Sequence, residues 1–264
     1  MGPSPITHHP LPIALTPPSP MAKPSREYIY GINPAFEVIR AGRRTIYEAY
    51  VNQAATGNAR LKKLASFMDT RGIHVERVDK QRLFQLSKSR ENQGVVLKTS
   101  TYPYTAFEDL EGSDRLLLLD NVEDPHNVGA VLRSAEIFGF DGVLLPFKGV
   151  PDVYPSVVKV SAGASEHLRI ARSASANRYV RDLVAQDYTI VALDAKGTSE
   201  ISSLRDQLSG KLLLVVGGEA ASVGQFILNQ AHHVARIDQH GRVNSLNASV
   251  AAGIAMFALS GETA

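Results

Sequence analysis

The chain has 264 residues, of which 44% are hydrophobic and 20% charged, so it is long enough for one large globular domain or two small ones. It contains no cysteine, which excludes disulfides, thiolate catalysis and Cys-ligated metal sites, and it has no apolar run of the roughly 20 residues that span a bilayer. The net charge of +2 is unevenly distributed: residues 21–104 hold 15 Lys and Arg against 7 Asp and Glu, and residues 105–264 hold 13 against 19. This asymmetry predicts an anion-binding module beside a region with another function.

Residues 1–24 are predicted to form a proline-rich, disordered leader, because the first 20 contain no Lys, Arg, Asp or Glu and no sustained periodicity. The leader lacks the positive start of a secretory signal and the Arg-rich pattern of a transit peptide, which predicts a cytoplasmic protein. Met21 begins a segment that looks like a natural start of translation, so we expect the preceding residues to be dispensable.

Residues 25–99 are predicted to form a small α/β domain. Asn33 followed by Pro34 indicates the cap and first turn of a helix that runs to residue 40. Further helices are predicted over residues 58–71 and 80–86, and strands over residues 45–51, 74–78 and 94–97. This alternation favours a mixed or parallel sheet. Residues 100–113 lack periodicity and contain Pro103, which indicates a linker.

Residues 114–264 repeat a strand–loop–helix pattern that predicts an open α/β domain with a parallel sheet. Residues 116–119 are all leucine, which is typical of a strand buried on both faces. Further strands are predicted over residues 142–145, 167–170, 188–193, 212–216 and 232–237. Helices are predicted over residues 127–138, 156–161, 176–186 and 222–230.

The segment over residues 243–257 is predicted to be a helix buried on nearly every side. Its larger apolar residues recur at helical spacing, and the faces between them carry alanine and glycine. The stripe consists of Leu246, Val250, Ile254 and Phe257. Ser245 or Asn244 is expected to cap the start of this helix, because a short polar side chain can accept from an unpaired amide.

Ligands of open parallel sheets bind beyond the carboxyl ends of the strands, which selects the loops over residues 120–127, 217–224 and 238–247. The chain has no GxxxxGK[ST] phosphate loop, no GxGxxG and no GxSxG elbow. Its eight His lack metal-ligand spacing, so no metal is predicted. The remaining inventory of amides, an arginine and one or two acids fits group transfer from a cofactor that carries its own activated group.

Three segments carry a family resemblance, in the order NVEDPHNVGAVLRSAEIFGFDGVLLP, VVGGEAASVG and IDQHGRVNSLNASVAAGI. They resemble the three motifs of the SpoU family of RNA ribose 2′-O-methyltransferases, and YGINPAFEVIRAGRR and ENQGVVL resemble the N-terminal substrate-binding domain of that family. The most similar subgroup methylates a guanosine of bacterial large-subunit (23S) ribosomal RNA. The resemblance implies S-adenosylmethionine as methyl donor, a SPOUT-type domain with a deep trefoil knot, and a homodimer built around that knot.

By motif position, the resemblance implies catalytic roles for Asn127, Arg133, Glu219, Ser245 and Asn247. It also implies contacts with the methyl donor, largely through backbone, for Gly217, Ile237 and Leu246. The second motif departs from the usual G-x-E-G-x-G pattern, because Ala220 follows Glu219 and the next glycine, Gly224, comes two residues late. This departure is expected to change the shape of the loop.

The resemblance implies that Arg133 is the base, although a guanidinium normally stays protonated. Alternatively, Arg133 clamps the adjacent RNA phosphate, and Glu219 or water removes the ribose proton. In either case Arg133 is expected to be essential.

The basic front domain is predicted to supply RNA affinity. Its candidate phosphate contacts are Arg40, Arg43, Arg44, Lys62 and Lys63. Two other functions stay open at this point: 2′-O-methylation of transfer RNA, and a non-catalytic role in RNA binding or ribosome assembly.

Overall fold

The structure, a computed structural model, describes residues 26–54, 57–219, 222–242 and 245–260. The predicted leader lies outside these ranges, as do Asn244, a predicted helix cap, and Ala220 of the second motif. Within the described ranges the chain forms two α/β units, each built on its own sheet.

The first unit contains a mixed four-stranded sheet in the order β1-β4-β2-β3. Its strands are β1 (Arg26–Tyr30), β2 (Ile46–Asn52), β3 (Val75–Val78) and β4 (Val95–Ser100). β4 runs antiparallel to β1 and β2, whereas β2 and β3 are parallel. The predicted mixed sheet is therefore confirmed, but the sequence interpretation missed β1, a short strand whose pairing with β4 is its main constraint.

Three helices cover this sheet: α1 (Ile32–Ala41), α2 (Ala59–Thr70) and α3 (Lys80–Ser87). The start of α1 was predicted wrongly, because Asn33 lies inside the helix and does not cap it. Gly31, at a φ of 101° that favours glycine, precedes the helix, and the backbone N–H of Ile32 donates to Gln93 Oε1 at 2.9 Å. The side-chain oxygen that accepts a hydrogen bond from this helix start thus belongs to a residue that is distant in the sequence.

The second unit contains seven parallel strands in the order β7-β6-β5-β10-β8-β11-β9, which confirms the predicted parallel sheet. They are β5 (Arg115–Asp120), β6 (Gly142–Leu144), β7 (Arg169–Ala171), β8 (Thr189–Leu193), β9 (Ser199–Glu200), β10 (Leu212–Gly217) and β11 (His233–Arg236). The helices are α4 (Pro125–Ile137), α5 (Pro155–Val160), α6 (Ala176–Val184), α7 (Ile201–Leu204), α8 (Gln225–Gln230) and α9 (Ala248–Leu259). β9 and α7 were not predicted, since elements this short show no periodicity.

The helix α9 is buried on one face only, and not on nearly every side as predicted. It begins at Ala248, and its small residues pack inward; the buried residues are Ala248, Ala252, Ala255, Met256 and Leu259. Val250, Ile254 and Phe257 of the predicted buried stripe are 50%, 39% and 68% exposed. The small face is covered because it lets the backbone of α9 approach α4, a preference that apolar periodicity alone does not reveal.

The predicted linker over residues 100–113 packs against the large sheet. Ser100 still belongs to β4, and the N–H of Thr105 donates to the carbonyl of Ile170 at 2.8 Å. A short 3₁₀ turn follows, with Phe107 and Leu110 buried. The segment therefore joins the two units through fixed contacts.

A buried ion pair also joins the two units. Arg44 is 5% exposed, and its Nε donates to Glu166 Oε2 at 2.9 Å, while Glu166, on the large-sheet side, is 1% exposed. Arg44 also donates to the carboxylate of Glu27 in β1. Burial raises the pKa of Glu27, and the guanidinium of Arg44 opposes that rise. Buried charges of this kind are tolerated only when they are paired.

Arg43 and Tyr102 complete this contact, and we call Arg43, Arg44, Tyr102 and Glu166 the seam cluster. The guanidinium of Arg43 donates to the carbonyls of Pro103 and Leu168. The Tyr102 hydroxyl donates to the Ser165 carbonyl at 2.9 Å, and burial raises the pKa of Tyr102, which keeps the hydroxyl protonated. The prediction that Arg43 and Arg44 contact RNA does not fit the structure, because both guanidinium groups are used in joining the two units.

Removing the Glu166 carboxylate tests the seam cluster. In Glu166→Ala, buried Arg44 loses its partner on the large-sheet side but keeps Glu27, and the free energy of unfolding should fall by about 1.5–3 kcal/mol, the range for hydrogen bonds to charged groups. The matched control is Asp182→Ala, which breaks the exposed Arg178–Asp182 pair and should cost less than about 1 kcal/mol. Urea unfolding of both variants measures the difference, and equal losses would contradict a stabilising role for the seam cluster.

Candidate active site

Three side chains from separate loops meet at the carboxyl edge of the large sheet. Asn247 Nδ2 donates to Asn127 Oδ1 at 2.9 Å and to Glu219 Oε1 at 2.5 Å. Asn127 Nδ2 donates to the same Glu219 oxygen at 3.2 Å. The loops after β5, β10 and β11 are thereby joined by one hydrogen-bonded cluster, which we call the amide–acid cluster (Asn127, Glu219 and Asn247).

Helix starts position both asparagines. Asn247 is the N-cap of α9, and its Oδ1 accepts from the N–H groups of Ser249 and Val250 at 3.0 and 3.3 Å. Because the oxygen is fixed in this way, the amide nitrogen points toward Asn127 and Glu219. The predicted caps were wrong for this reason: Ser245 does not cap α9, and Asn244 lies outside the described residues.

Asn127 lies in the first turn of α4, which begins two residues earlier than predicted. Asp124 is the N-cap, and its side chain accepts from the N–H of His126 at 2.8 Å. Pro125 occupies the first position of the helix, where its missing N–H costs no hydrogen bond. The helix start therefore holds Asn127 at the edge of the sheet.

Glu219 is held through one of its two carboxylate oxygens. Oε1 accepts from Asn127, from Asn247 and from the backbone N–H of Ala248, the last at 3.4 Å. Within the described part of the chain, no donor contacts Oε2. The cluster thus presents one oriented carboxylate oxygen that can accept a hydrogen bond from a ligand.

A cavity of about 160 Å³ adjoins this cluster at the ends of β8, β10 and β11. Five of the residues singled out in the sequence line it, namely Gly217, Glu219, Ile237, Ser245 and Leu246. Asn247 adjoins it through its hydrogen bond to Glu219. Ile237, Leu246 and Ala251 provide apolar surface, and Asp194 and Glu219 provide carboxylates. This combination suits a ligand that has a flat apolar ring together with hydroxyl or cationic groups.

Asp120 and Asp194 shape the site and were missed in the sequence. Asp120 is 7% exposed and its carboxylate accepts from the N–H of Gly224 at 2.8 Å; burial raises its pKa, and this hydrogen bond opposes the rise. Asp194 accepts from the hydroxyl of Ser222 at 2.7 Å. Both acids directly follow apolar strand residues, and that position could have identified them.

These contacts hold the described residues of the second-motif loop close to β10. A Cβ at Gly217 would lie 2.5 Å from the backbone nitrogen of Val223, so the loop can fold back only over a glycine. The unusual residues Ala220 and Ala221 lie outside the described ranges.

Arg133 does not lie in the amide–acid cluster. It follows Asn127 by six residues on α4, which separates the two by about 9 Å along the helix axis and turns them to different faces. Arg133 is exposed and lines another cavity, of about 440 Å³, together with Glu37, Glu136 and His167. Within one chain, the structure therefore does not bring together the predicted pair.

Of the five predicted RNA contacts, three are exposed on the surface and two belong to the seam cluster. Arg40 is exposed and pairs with Glu37 at 2.5 Å, and Lys62 and Lys63 are exposed on α2. Arg43 and Arg44 belong to the seam cluster.

The described ranges contain no metal-binding cluster and no membrane-spanning helix. No three His, Asp or Glu side chains come together there in an arrangement that could hold a metal ion. None of the helices in those ranges is both long and apolar enough to cross a membrane.

Comparison with known proteins agrees with the resemblance seen in the motifs. Residues 114–257 match the SpoU rRNA Methylase family, and residues 28–105 match the domain described as RNA 2′-O ribose methyltransferase substrate binding. The chain is 33% identical to the 23S rRNA (guanosine-2′-O-)-methyltransferase RlmB of Xylella fastidiosa, over 88% of this chain and 94% of that protein. It is 32% identical to an uncharacterized tRNA/rRNA methyltransferase of Mycobacterium avium, over 98% of this chain and 87% of that protein.

Among solved structures, an AdoMet-bound rRNA methyltransferase from Sinorhizobium meliloti superposes with a TM-score of 0.73. The superposition covers 89% of this chain and 86% of that one, at 24% sequence identity. This likeness supports the α/β fold with its parallel-sheet unit.

Proposed function

This chain belongs to the SpoU rRNA Methylase family, and on that basis we propose that it transfers a methyl group from S-adenosylmethionine to the 2′-hydroxyl of a guanosine ribose in 23S ribosomal RNA. The observation that carries the proposal is the amide–acid cluster beside the cavity lined by Gly217, Ile237 and Leu246. The Xylella fastidiosa relative, which is named for this reaction, supports the choice of RNA and nucleotide.

The cavity residues fit the proposed methyl donor by their chemistry. When bound, S-adenosylmethionine supplies a methyl group already activated on a sulfonium. Ile237 and Leu246 would hold the adenine ring, and the Asp194 carboxylate would accept from the ribose hydroxyls of the donor. The cavity of about 160 Å³ is smaller than the 300–1,000 Å³ of common small-molecule sites, so we expect the loops after β10 and β11 to move apart on binding.

The amide–acid cluster would orient the ribose hydroxyl. Because Glu219 Oε1 is held by two asparagines, its Oε2 has a fixed direction and would accept the hydrogen bond from the 2′-hydroxyl. This arrangement lowers the barrier by fixing the attacking oxygen in line with the methyl group. In this proposal Arg133 pairs with the RNA phosphate and Glu219 receives the proton, directly or through water.

We further propose that the protein is a homodimer. Four exposed apolar side chains lie on the packed helices α4 and α9, namely Ile137 (64% exposed), Val250, Ile254 and Phe257, and we call them the apolar patch. Exposed apolar surface of this kind marks interaction sites, and self-association would cover it around a twofold axis. Since Arg133 lies one turn before Ile137 on α4, such a dimer would bring Arg133 close to the partner subunit.

The proposed trefoil knot concerns the last part of the same unit. β10 lies between β5 and β8, and β11 lies between β8 and β9. Each of these two strands is therefore inserted between strands that precede it in the chain. This order supports a path in which the segment leading to α9 passes through an earlier loop. Tracing the backbone in a crystal structure would test that path.

Methyl-donor binding and methyl transfer test the function. Calorimetry should detect S-adenosylmethionine binding without RNA, and labelled methyl groups should appear on 23S rRNA from a strain that lacks the protein. Asn247→Ser keeps an oxygen that can cap α9 but removes the amide, and it should lower the rate of transfer by about 10²-fold. The matched control, Asn229→Ser, alters an exposed asparagine on α8 and should leave the rate unchanged.

The outcomes separate the alternatives. Label on transfer RNA in place of 23S rRNA would support the transfer RNA function, to which the name of the Mycobacterium avium relative also refers. Donor binding without transfer to either RNA would support a non-catalytic role. Absence of donor binding would contradict the proposal at its first step.

Mixed dimers test the location of Arg133. Phe257→Glu should yield a monomer in light scattering, because it places a charge in the apolar patch, whereas Phe147→Glu alters an exposed aromatic outside the patch and should leave the dimer intact. Arg133→Ala and Asn247→Ser chains, co-expressed and purified by two different tags, should regain transfer. Each mixed dimer then keeps one intact site, formed by Asn247 of one chain and Arg133 of the other. If Arg133 acts in its own chain, both sites are broken and no activity returns.

A further inference from the structure

A third cavity, of about 880 Å³, lies on the small unit, away from the amide–acid cluster and from the cavity at Arg133. It opens where the start of α2, the helix α3 and the segment before β4 meet. We call it the α3 cleft and define it by the six lining residues that matter here: Arg60, Lys80, Phe84, Arg90, Asn92 and Gln93.

The α3 cleft is cationic. Arg60, Lys80 and Arg90 are exposed and line it, and no acid is among its lining residues in the described part of the chain. None of these three cations forms an ion pair with a described residue, in contrast to Arg40 and Arg44. Three unneutralised cations around one opening favour a polyanionic ligand.

Phe84 places an aromatic ring among these charges. It is 46% exposed, whereas its neighbour Leu83 on α3 is 1% exposed and packs into the small unit. An exposed ring between cations is typical of sites for single-stranded nucleic acid, where an unpaired base stacks on the ring and phosphates contact the cations. A duplex offers no exposed base face to such a ring, because its bases are stacked on each other.

The opposite rim of the α3 cleft reaches the large unit. Gln93 Oε1 accepts from Ile32 at the start of α1, and a Cβ at Gly31 would lie 2.9 Å from Nζ of Lys159 on α5. Burial lowers the pKa of Lys159, and the charge of Glu91 opposes that shift. α5 packs against α4, the helix that carries Asn127. A chain of contacts therefore leads from the α3 cleft to the amide–acid cluster.

We propose that the α3 cleft binds a single-stranded stretch of the RNA substrate, with an unpaired base stacked on Phe84 and the flanking phosphates paired with Arg60, Lys80 and Arg90. The proposal rests on the proposed function for the identity of the ligand as RNA. Lys159 contacts the same strand where it passes from the small unit to the large one. The site replaces the predicted contacts at Arg43 and Arg44, whose guanidinium groups form the hydrogen bonds of the seam cluster.

Binding of a short single-stranded RNA to the full chain tests this proposal. The probe is an oligonucleotide that contains 2-aminopurine, whose fluorescence reports stacking, and its affinity is measured at several salt concentrations. Phe84→Leu should weaken binding roughly tenfold and abolish the stacking signal. The triple variant Arg60→Gln, Lys80→Gln, Arg90→Gln should reduce the slope of log affinity against log salt by about 2.

Matched controls distinguish binding in the α3 cleft from the effect of removing any exposed cation or any exposed aromatic ring. Arg71→Gln with Arg77→Gln removes two exposed cations of the small unit that do not line the α3 cleft, and Phe147→Leu removes an exposed ring on the large unit. Both controls should keep the stacking signal. Thermal unfolding of every variant identifies any loss of fold, and the intact chain should bind the same strand more weakly after it is annealed to its complement.

Equal affinities for Phe84→Leu and Phe147→Leu, or equal binding of single strand and duplex, would overturn the proposal. Its failure is distinguishable from failure of the proposed function, because S-adenosylmethionine binding and methyl transfer are measured separately. Loss of RNA affinity in the α3 cleft variants with unchanged donor binding would support it.

Discussion

The side chain of Asn247 connects secondary structure to the candidate site. Its oxygen satisfies the first amides of α9, and this fixes its nitrogen against Asn127 and Glu219. The helix start and the three-loop cluster are therefore one structural unit, since a displacement of α9 would also displace the carboxylate of Glu219. A polar side chain that is fixed by the backbone in this way loses little further freedom when a substrate arrives, which is the general advantage of preorganised sites.

The same helix links the site to the proposed dimer. The small residues on one side of α9 let it approach α4, whereas Val250, Ile254 and Phe257 remain exposed. Phe257 lies with its ring 6.0 Å from that of Phe138, at the end of α4. The two helices that supply Asn127 and Asn247 thus also form the apolar patch, and covering this patch would restrain both helices. In the proposed dimer, contacts at this patch would therefore also affect the geometry of the amide–acid cluster.

The structural elements that were predicted correctly from the sequence are those that depend on local pattern. The leucine strand of residues 116–119, the parallel sheet and the helix α2, which was predicted over residues 58–71, follow from periodicity. The contacts that were predicted wrongly are those that depend on a partner distant in the sequence. Gln93, and not Asn33, accepts a hydrogen bond from the start of α1. Arg44, which was predicted to contact RNA, pairs with Glu166. A run such as RAGRR has the same charge count whether it is solvated or buried, so only the folded chain separates these cases.

The seam cluster fixes the distance between the two units. An ion pair and several carbonyl contacts join the small unit to the large one, so the α3 cleft lies at a fixed position relative to the amide–acid cluster. In the proposed complex this fixed spacing would select the nucleotide, because an RNA that fills the α3 cleft would present to the amide–acid cluster only the riboses that lie at the matching distance. Selection of a nucleotide then requires no reading of its base at the reaction site. The two asparagines and the glutamate of that site, which carry no obvious base-reading arrangement, are consistent with this division of labour.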